Sequence, residues 1–314
     1  MPRISLVVCL YRERDLLERL LQATSGVIDD LVVVHDGGEE SPSDSTSEPI
    51  PAIDFATVPA EPLDRSYRIP DLPPEPGSTH ELVRKFGGRF FVGPRRFQQE
   101  PHWPLAWQQA KYDWILRLDA DEFPSDDLKS WLLDFKSREE PAENLCGYTC
   151  IWPLWDGQKA VSQRWPAGRH FLVHRSRIRF FGMVEQLPVP DGTFEPLPFV
   201  LRHEPTRKSY GIGNLVIRKQ AYQWRRVIAE SLLGSPTALP RWRWTEDSWP
   251  TVWEDIRRRP LRTAFDRLTR WSLRAIRDVL KVEGRFLPNA AICGGVHHFL
   301  IALLYFKLRN RTRP

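Results

Sequence analysis

Hydrophobic and polar positions change period in a regular order along the N-terminal part of the chain. Ile4–Leu10 is a β-branched apolar run of strand length, and Asp15–Gln22 places leucines at 16, 17, 20 and 21, the spacing of one helix face. Leu31–Val34 is a second buried strand, so the chain opens with a βαβ unit. Pro, Ser, Asp and Glu then dominate as far as Gly93, with Pro73-Pro74 and Gly87-Gly88, and residues 38–87 are expected to form an insertion or loop region. Trp103–Tyr112 predicts a helix and Trp114–Leu118 a strand that runs out on Asp119-Ala120-Asp121-Glu122. Ser125 ahead of Asp126 and Asp127 marks a helix start before Leu128, Trp131 and Leu132. Strand patterns follow at Cys146–Trp155, Phe171–Val173 and Ile178–Phe181. From Gly211 the period turns helical, with Leu215–Arg226, a Trp/Pro-rich connection, Leu261–Val282 and Ala290–Leu308. The expected fold class is α/β, a mixed sheet flanked by helices over 1–225 with a helical C-terminal extension over 226–314.

Composition narrows this picture. A chain of 314 residues with 41% hydrophobic and 27% charged residues can bury a substantial core, which excludes a disordered tail, a coiled coil or a polytopic membrane protein. Its 28 prolines and 13 tryptophans call for long connections between elements. Charge is uneven: residues 1–224 hold 27 Lys and Arg against 32 Asp and Glu, whereas residues 225–314 hold 18 against 8. The basic character therefore belongs to the C-terminal third, where a phosphorylated ligand, an anionic lipid surface or nucleic acid would be its natural counterpart. Zinc-finger spacing and aromatic RNA-binding patterns are absent from the sequence, so no nucleic-acid partner is expected. Cys9, Cys146, Cys150 and Cys293 are too few and too scattered for a disulfide framework and fit a reducing compartment. Ala290–Phe306 is interrupted by Gly294-Gly295 and His297-His298, and no transmembrane helix is expected.

The chemistry concentrates where buried strands end. Asp119 and Asp121 leave a strand two residues apart, and in open α/β sheets ligands bind beyond the carboxyl ends of strands. Two carboxylates in that position can share a hard divalent cation, Mn²⁺ or Mg²⁺, with substrate phosphates completing its shell. Asp36 ends the second strand ahead of Gly37-Gly38, where the backbone can approach a ligand and the carboxylate can accept from a base N–H or a ribose hydroxyl.

With these pieces the chain resembles the family 2 glycosyltransferases of the GT-A fold. Ile4–Glu13 matches the first nucleotide-binding strand, His35-Asp36-Gly37-Gly38 stands for the usual Asp-Asp-Gly-Ser, and Leu118–Glu122 for the metal-binding triplet. Leu201-Arg202-His203, Tyr210 and Arg218–Tyr222 look like the distal segment of the subgroup containing lipopolysaccharide-core glucosyltransferases. The resemblance implies a nucleoside-diphosphate sugar donor, a UDP-sugar first, bound by Leu10, Tyr11, Glu13, Asp36, Arg96, Asp119, Ala120 and Lys219. It implies a metal held by Asp121 and His203, and a glycan or lipid-linked acceptor of the cell envelope. His35 departs from the pattern, and so does Gly182-Met183-Val184-Glu185-Gln186, which stands where the subgroup has Gly-x-Val-His-Glu. Glu185 is the candidate catalytic base for an inverting displacement, and Glu122 is expected to lie behind the metal.

Arg95, Arg96 and Arg117 flank the triplet as cations for a diphosphate or as plain surface charges. Lys219 and Tyr222 share a helix face, to contact ligand or to pack. His170 and His174 fall on one strand face without a third partner, which argues against a metal there. Over 262–282, Phe265, Leu268, Trp271, Ala275, Ile276, Val279 and Leu280 recur at helical spacing between arginines. That helix either packs with a solvated basic face or lies on an anionic membrane, with Trp242, Trp244, Trp249 and Trp253 as interfacial residues. The expected location is cytoplasmic, peripheral on the inner face of the membrane. The competing function is a non-catalytic protein that binds a sugar nucleotide on the same fold; a phosphohydrolase with Asp119 as nucleophile fits less well, since Glu122 follows the motif.

Overall fold

The computed structural model describes residues 1–37, 78–93, 98–153, 155, 157–160, 168–184, 186–205, 224–245, 247–281 and 287–311. Eight strands form one mixed sheet. β1 (Ile4–Leu10) lies between β2 (Asp30–Asp36) and β4 (Trp114–Arg117), parallel to both, and β3 (Arg89–Gly93) continues the parallel half beyond β2. Across β4 the direction reverses: β7 (Arg169–His174) and β6 (Leu145–Ile151) are antiparallel neighbours, β10 (Thr193–His203) runs parallel to β6, and β5 (Glu122–Pro124) closes the edge against β10. Every residue of β1 and β2 is buried, which is why both appear in the sequence as unbroken apolar runs: helices cover both sides.

On one face pack α1 (Arg14–Thr24), α2 (Thr79–Lys85) and α4 (Asp126–Ser137). Helix α1 buries Leu17, Leu20, Leu21 and Thr24 and α4 buries Leu128, Trp131, Leu132 and Phe135, both at i, i+3, i+4, i+7. Ser125 caps α4 by accepting the Leu128 N–H at 3.3 Å, with Asp126 and Asp127 favourably placed in its first turn. On the other face Trp103, Ala106 and Trp107 of α3 (Trp103–Gln109) pack with Ile178 and Phe180 of β8 (Ile178–Phe181). A small antiparallel sheet joins β8 to β9 (Val189–Pro190) and β11 (Arg241–Trp242).

A third apolar cluster joins Phe181, Met183 and Val184 to the C-terminal helices α5 (Trp224–Ser231), α6 (Thr251–Arg258), α7 (Pro260–Lys281) and α8 (Leu287–Arg311). α7 and α8 pack together, close enough that a Cβ on Gly295 of α8 would meet the Trp271 Cβ at 2.7 Å. No described helix is long and apolar enough to cross a membrane.

Four features depart from the sequence expectation. The expected loop region 38–87 contains α2, capped by Ser78 and anchored by Leu82 and Val83; at seven residues it is too short to show a period. α6 lies within the Trp/Pro-rich connection. β10 goes unannounced because Pro196 and Pro198 interrupt it, and its pairing with β6 slips between Pro196 and Val200. The tryptophans expected at a membrane surface are turned inward: Trp249 and Trp253 are buried in the third cluster, Trp242 packs edge-on to Trp107, and Trp244 packs edge-on to Phe181. Large aromatics there fill the joint between the helices and β8, where burying their area contributes most. The helix expected at Leu215–Arg226 falls largely outside the described residues.

Gly147 on β6 tests how tightly the sheet is packed, because a Cβ there would strike the Leu172 carbonyl and lie 2.7 Å from the Phe194 ring. Gly147→Ala should lower stability by about 2 kcal/mol or more, measured by thermal or denaturant unfolding.

Candidate functional site

The order β2-β1-β4 brings the carboxyl ends of three parallel strands side by side. The chain leaves β1 at Leu10 through Tyr11 and Arg12, and Arg12 adopts φ 52°, a left-handed conformation uncommon outside glycine. Its N–H donates to His35 Nε2 at 3.4 Å, and His35 Nδ1 in turn contacts the Gly37 carbonyl. His35 is thus a buried clamp, Nδ1 protonated, that ties the β1–α1 turn to the end of β2. Gly37 has φ 93°, which only glycine adopts without strain, and its N–H donates to the Gly93 carbonyl at 2.9 Å. Tyr11 lies with its ring 5.7 Å from His35, and Glu13 is the residue from which α1 starts.

Asp36 is buried and bonded to His102 Nε2 at 2.9 Å, and His102, at the entry to α3, is itself fully buried. Across β1, Asp119 leaves β4 on the same face. Burial raises the Cys9 thiol well above its ordinary pKa, and Asp119, Asp36 and Glu100 add to the effect, so three carboxylates direct their field at the end of β1. Arg117, 1% exposed, stacks on Trp103 at 4.3 Å and donates to the His170 carbonyl at 2.9 Å. Burial and the neighbouring Arg169 push its pKa down to about 9, which leaves it charged at neutral pH. Its Nε and Nη1 are buried without a hydrogen-bond partner.

The triplet is held from below. Glu122, on β5 and fully buried, accepts the Asp119 N–H at 2.9 Å. Arg169, first residue of β7, donates through Nη2 to Glu122 Oε2 at 3.1 Å and to Asp119 Oδ2 at 2.8 Å, and its Nε approaches Glu122 Oε1 at 2.9 Å as an ion pair without hydrogen-bond geometry. Burial pushes the Glu122 carboxyl up to about 7 while Arg169 draws it back. Burial opposes the Arg169 charge, but Asp119 and Glu122 outweigh it and raise its pKa. Asp121 is placed by β5–β10 pairing: Glu122 is opposite His203, the Glu204 N–H donates to the Asp121 carbonyl at 2.9 Å, and His203 Nε2 lies 3.4 Å from Asp121 Oδ2. Trp152 stacks on His203, ring centroids 4.2 Å apart at 23°.

Leu10, Tyr11, Glu13, Asp36, Asp119, Ala120, Asp121 and His203 therefore gather at the carboxyl ends of β1, β2 and β4 and the end of β10, with Leu10 and Ala120 buried. Glu185, Arg96 and Lys219 lie outside the described residues, as do Arg95 and Tyr222. His170 and His174 do not share a face: His170 stacks on Phe194 at 4.3 Å, whereas His174 sits edge-on to Trp114, in the opposite layer. The break in register between Tyr148 and Thr149 on the partner strand accounts for the lost alternation. Arg169, His102 and Trp152 were not evident from the sequence. For Arg169 the only signal is a charge at the head of a buried strand.

Among the described residues no group of three or more His, Cys, Asp or Glu could hold a metal by itself. Two donors about 2.1 Å from one octahedral ion stand roughly 3 Å apart, so the 3.4 Å between His203 Nε2 and Asp121 Oδ2 suits a shared ion whose remaining ligands come from substrate and water. Asp119 Oδ1 is buried with no partner, an acceptor left for a ligand.

No protein-family model matches the sequence, and no curated protein does. Among solved structures, the chain is similar to S. aureus TarS at 11% identity and a TM-score of 0.33, over 74% of this chain and 40% of that one. A TarS fragment, residues 1–349, aligns at 10% identity and a TM-score of 0.30, over 99% of this chain and 92% of that one. A CMP:2-keto-3-deoxy-manno-octonic acid synthetase complexed with CTP aligns at 12% identity and a TM-score of 0.27, over 55% and 71%. The chain thus spans less than half the length of the full TarS chain. The functional reading rests on this chain's own residues.

His170 offers a pH test of the cationic floor. Burial lowers its pKa to about 4, and Arg117 and Arg169 add to the shift. The unfolded chain binds that proton near pH 6.5 and the folded one only near 4, so the group's contribution to stability falls as pH drops across that window. His170→Asn should flatten the decline between pH 6.5 and 4 by up to roughly 3 kcal/mol, read as the difference between the two proteins' denaturation curves.

Proposed function

We propose that the protein is an inverting sugar transferase that moves a hexose from a nucleoside-diphosphate sugar, a UDP-sugar foremost, to a glycan or lipid-linked acceptor of the cell envelope. The observation that carries this reading is the convergence of Asp36, Asp119, Asp121 and His203 on one end of the sheet, with Asp119 Oδ1 buried and unpartnered. That is where an open α/β sheet presents a nucleotide site. Asp36, fixed by His102, is assigned to base or ribose, and Asp119 Oδ1 to a donor hydroxyl. Asp121 and His203 are the side chains that would hold Mn²⁺ or Mg²⁺, whose chemistry there is to neutralise charge on the leaving diphosphate. Arg96 and Lys219 are assigned to the donor's phosphates, and Glu185 to deprotonation of the acceptor hydroxyl, by the family resemblance.

The protein acts, in this reading, at the cytoplasmic face of a membrane through α7. Leu261, Phe265, Leu273 and Ile276 of that helix are 41%, 59%, 62% and 58% exposed, an unusual concentration for large apolar side chains in a charged segment. Arg258, at the end of α6, and Arg270 flank the stripe with strongly exposed side chains. Phe265→Ser/Ile276→Ser should cut co-sedimentation with phosphatidylglycerol vesicles about tenfold and leave donor hydrolysis intact. Equal sedimentation of the two proteins would remove α7 as the membrane contact.

Purified protein should release nucleoside diphosphate slowly from one member of a panel of UDP-, GDP-, ADP- and dTDP-sugars when Mn²⁺ or Mg²⁺ is present, and Asp121→Ala should lower that rate by 100-fold or so. Binding without release, even with envelope lipid extract added, would instead identify a sugar-nucleotide-binding protein.

A further inference from the structure

A closed circuit of contacts runs through the acidic triplet: Asp119 to Arg169 at 2.8 Å, the Arg169 guanidinium 5.7 Å from the Trp152 ring, Trp152 stacked on His203 at 4.2 Å, and His203 at 3.4 Å from Asp121. Arg169 is the pivot. Its Nη2 donates both to Glu122 Oε2 at 3.1 Å and to Asp119 Oδ2 at 2.8 Å, and Glu122 is itself buried and accepts the Asp119 backbone N–H, which holds the guanidinium in place. A fixed cation therefore already sits against Asp119 Oδ2. A divalent ion placed on Asp119 would have to share that carboxylate with a guanidinium it repels, whereas Asp121 faces His203 at 3.4 Å.

We infer that Arg169 is a positioning residue that keeps Asp119 out of the metal's ligand set and so makes divalent-metal binding depend on a diphosphate. The inference rests on the metal-dependent reading proposed above. Asp121 and His203 supply two donors, and a hard ion of six-fold coordination must draw the others from water and from phosphate oxygens. Metal and diphosphate then enter as a pair. The first acid of the triplet stays free of metal, with Oδ1 buried and unpartnered.

Mn²⁺ binding followed by electron paramagnetic resonance tests this with no sugar donor, using the metal alone and the metal with inorganic pyrophosphate, corrected for the complex they form in buffer. Wild type should bind Mn²⁺ weakly alone and at least about tenfold more tightly with pyrophosphate. Arg169→Met frees Asp119 and removes the repelling charge, so Mn²⁺ alone should bind about tenfold tighter or more, and the gain from pyrophosphate should shrink. Arg169→Lys keeps the charge and should stay near wild type for metal alone. Arg169→Met strands a buried carboxylate, so Arg169→Met/Glu122→Gln serves as the fold-preserving variant, with the same gain expected. A residue that merely braced the fold would weaken metal binding when removed. Unchanged or weaker binding of Mn²⁺ alone in both Met variants overturns the inference while leaving the transferase reading intact. A wild type that binds no Mn²⁺ even with pyrophosphate overturns both this inference and the metal-dependent part of the proposed function.

Discussion

Two carboxylates stand at the inner end of β4, and both are held by the one Arg169 guanidinium. Glu122 has no exposed surface, and a lone ionised carboxylate in such a place would cost several kcal/mol and take up a proton instead. The Arg169 Nη2 and the backbone N–H of Asp119 offset part of that cost, and burial still holds the Glu122 carboxyl up at about 7. In exchange the turn after β4 has one geometry, with Asp119 directed to the ligand face and Asp121 toward β10. Removing either partner would leave an uncompensated charge and free the triplet at the same time.

The sheet order explains why this cation can reach. β7, which begins with Arg169, is antiparallel to β4, so its first residue lies at the end where β4 finishes. β10 runs from β6 to β5, which delivers His203 opposite Glu122. β7 and β5 are the strands reversed in this sheet, so β7 brings its first residue, and β10, which runs the same way as β1, β2 and β4, brings its last, to the end where those three strands finish. Trp152, immediately beyond β6, stacks on the His203 ring and lies 5.7 Å from the Arg169 guanidinium.

How much of this the sequence reveals follows from the kind of interaction involved. β1 and β2 are legible because strands buried on both faces carry apolar cores, here Leu6–Leu10 and Leu31–Val34, and α4 is legible because its cap and its apolar period agree. The acidic positions are legible as well, since charge directly after an apolar strand has few structural reasons to be there. β10 is not, because its prolines and half-exposed face erase the alternation. Arg169 and His102 are invisible for a different reason: their partners lie 50 and 66 residues away and are found only once the strand order is known. His35 was visible as a departure, but its work, joining Arg12 to Gly37, is a matter of backbone geometry that no residue type announces.

The C-terminal helices show where charge counting and structure part company. The excess of arginine over 225–314 suggests a free cationic face, yet Arg258 pairs with Glu254 and Arg270 with Asp266, each one helical turn apart. Exposed pairs of this kind contribute a few tenths of a kcal/mol and are screened by salt, so they hold the side chains loosely. An arginine so paired can turn toward a stronger anionic partner at little cost. The apolar stripe has no such alternative within the helix: on α7 the buried Ala264 joins the third apolar cluster, with Thr263 buried beside it, while Phe265 lies at the outer edge, edge-on to Phe299. Area exposed in this way is reduced only by a surface brought to it, and the loosely paired arginines beside it favour one that is negatively charged.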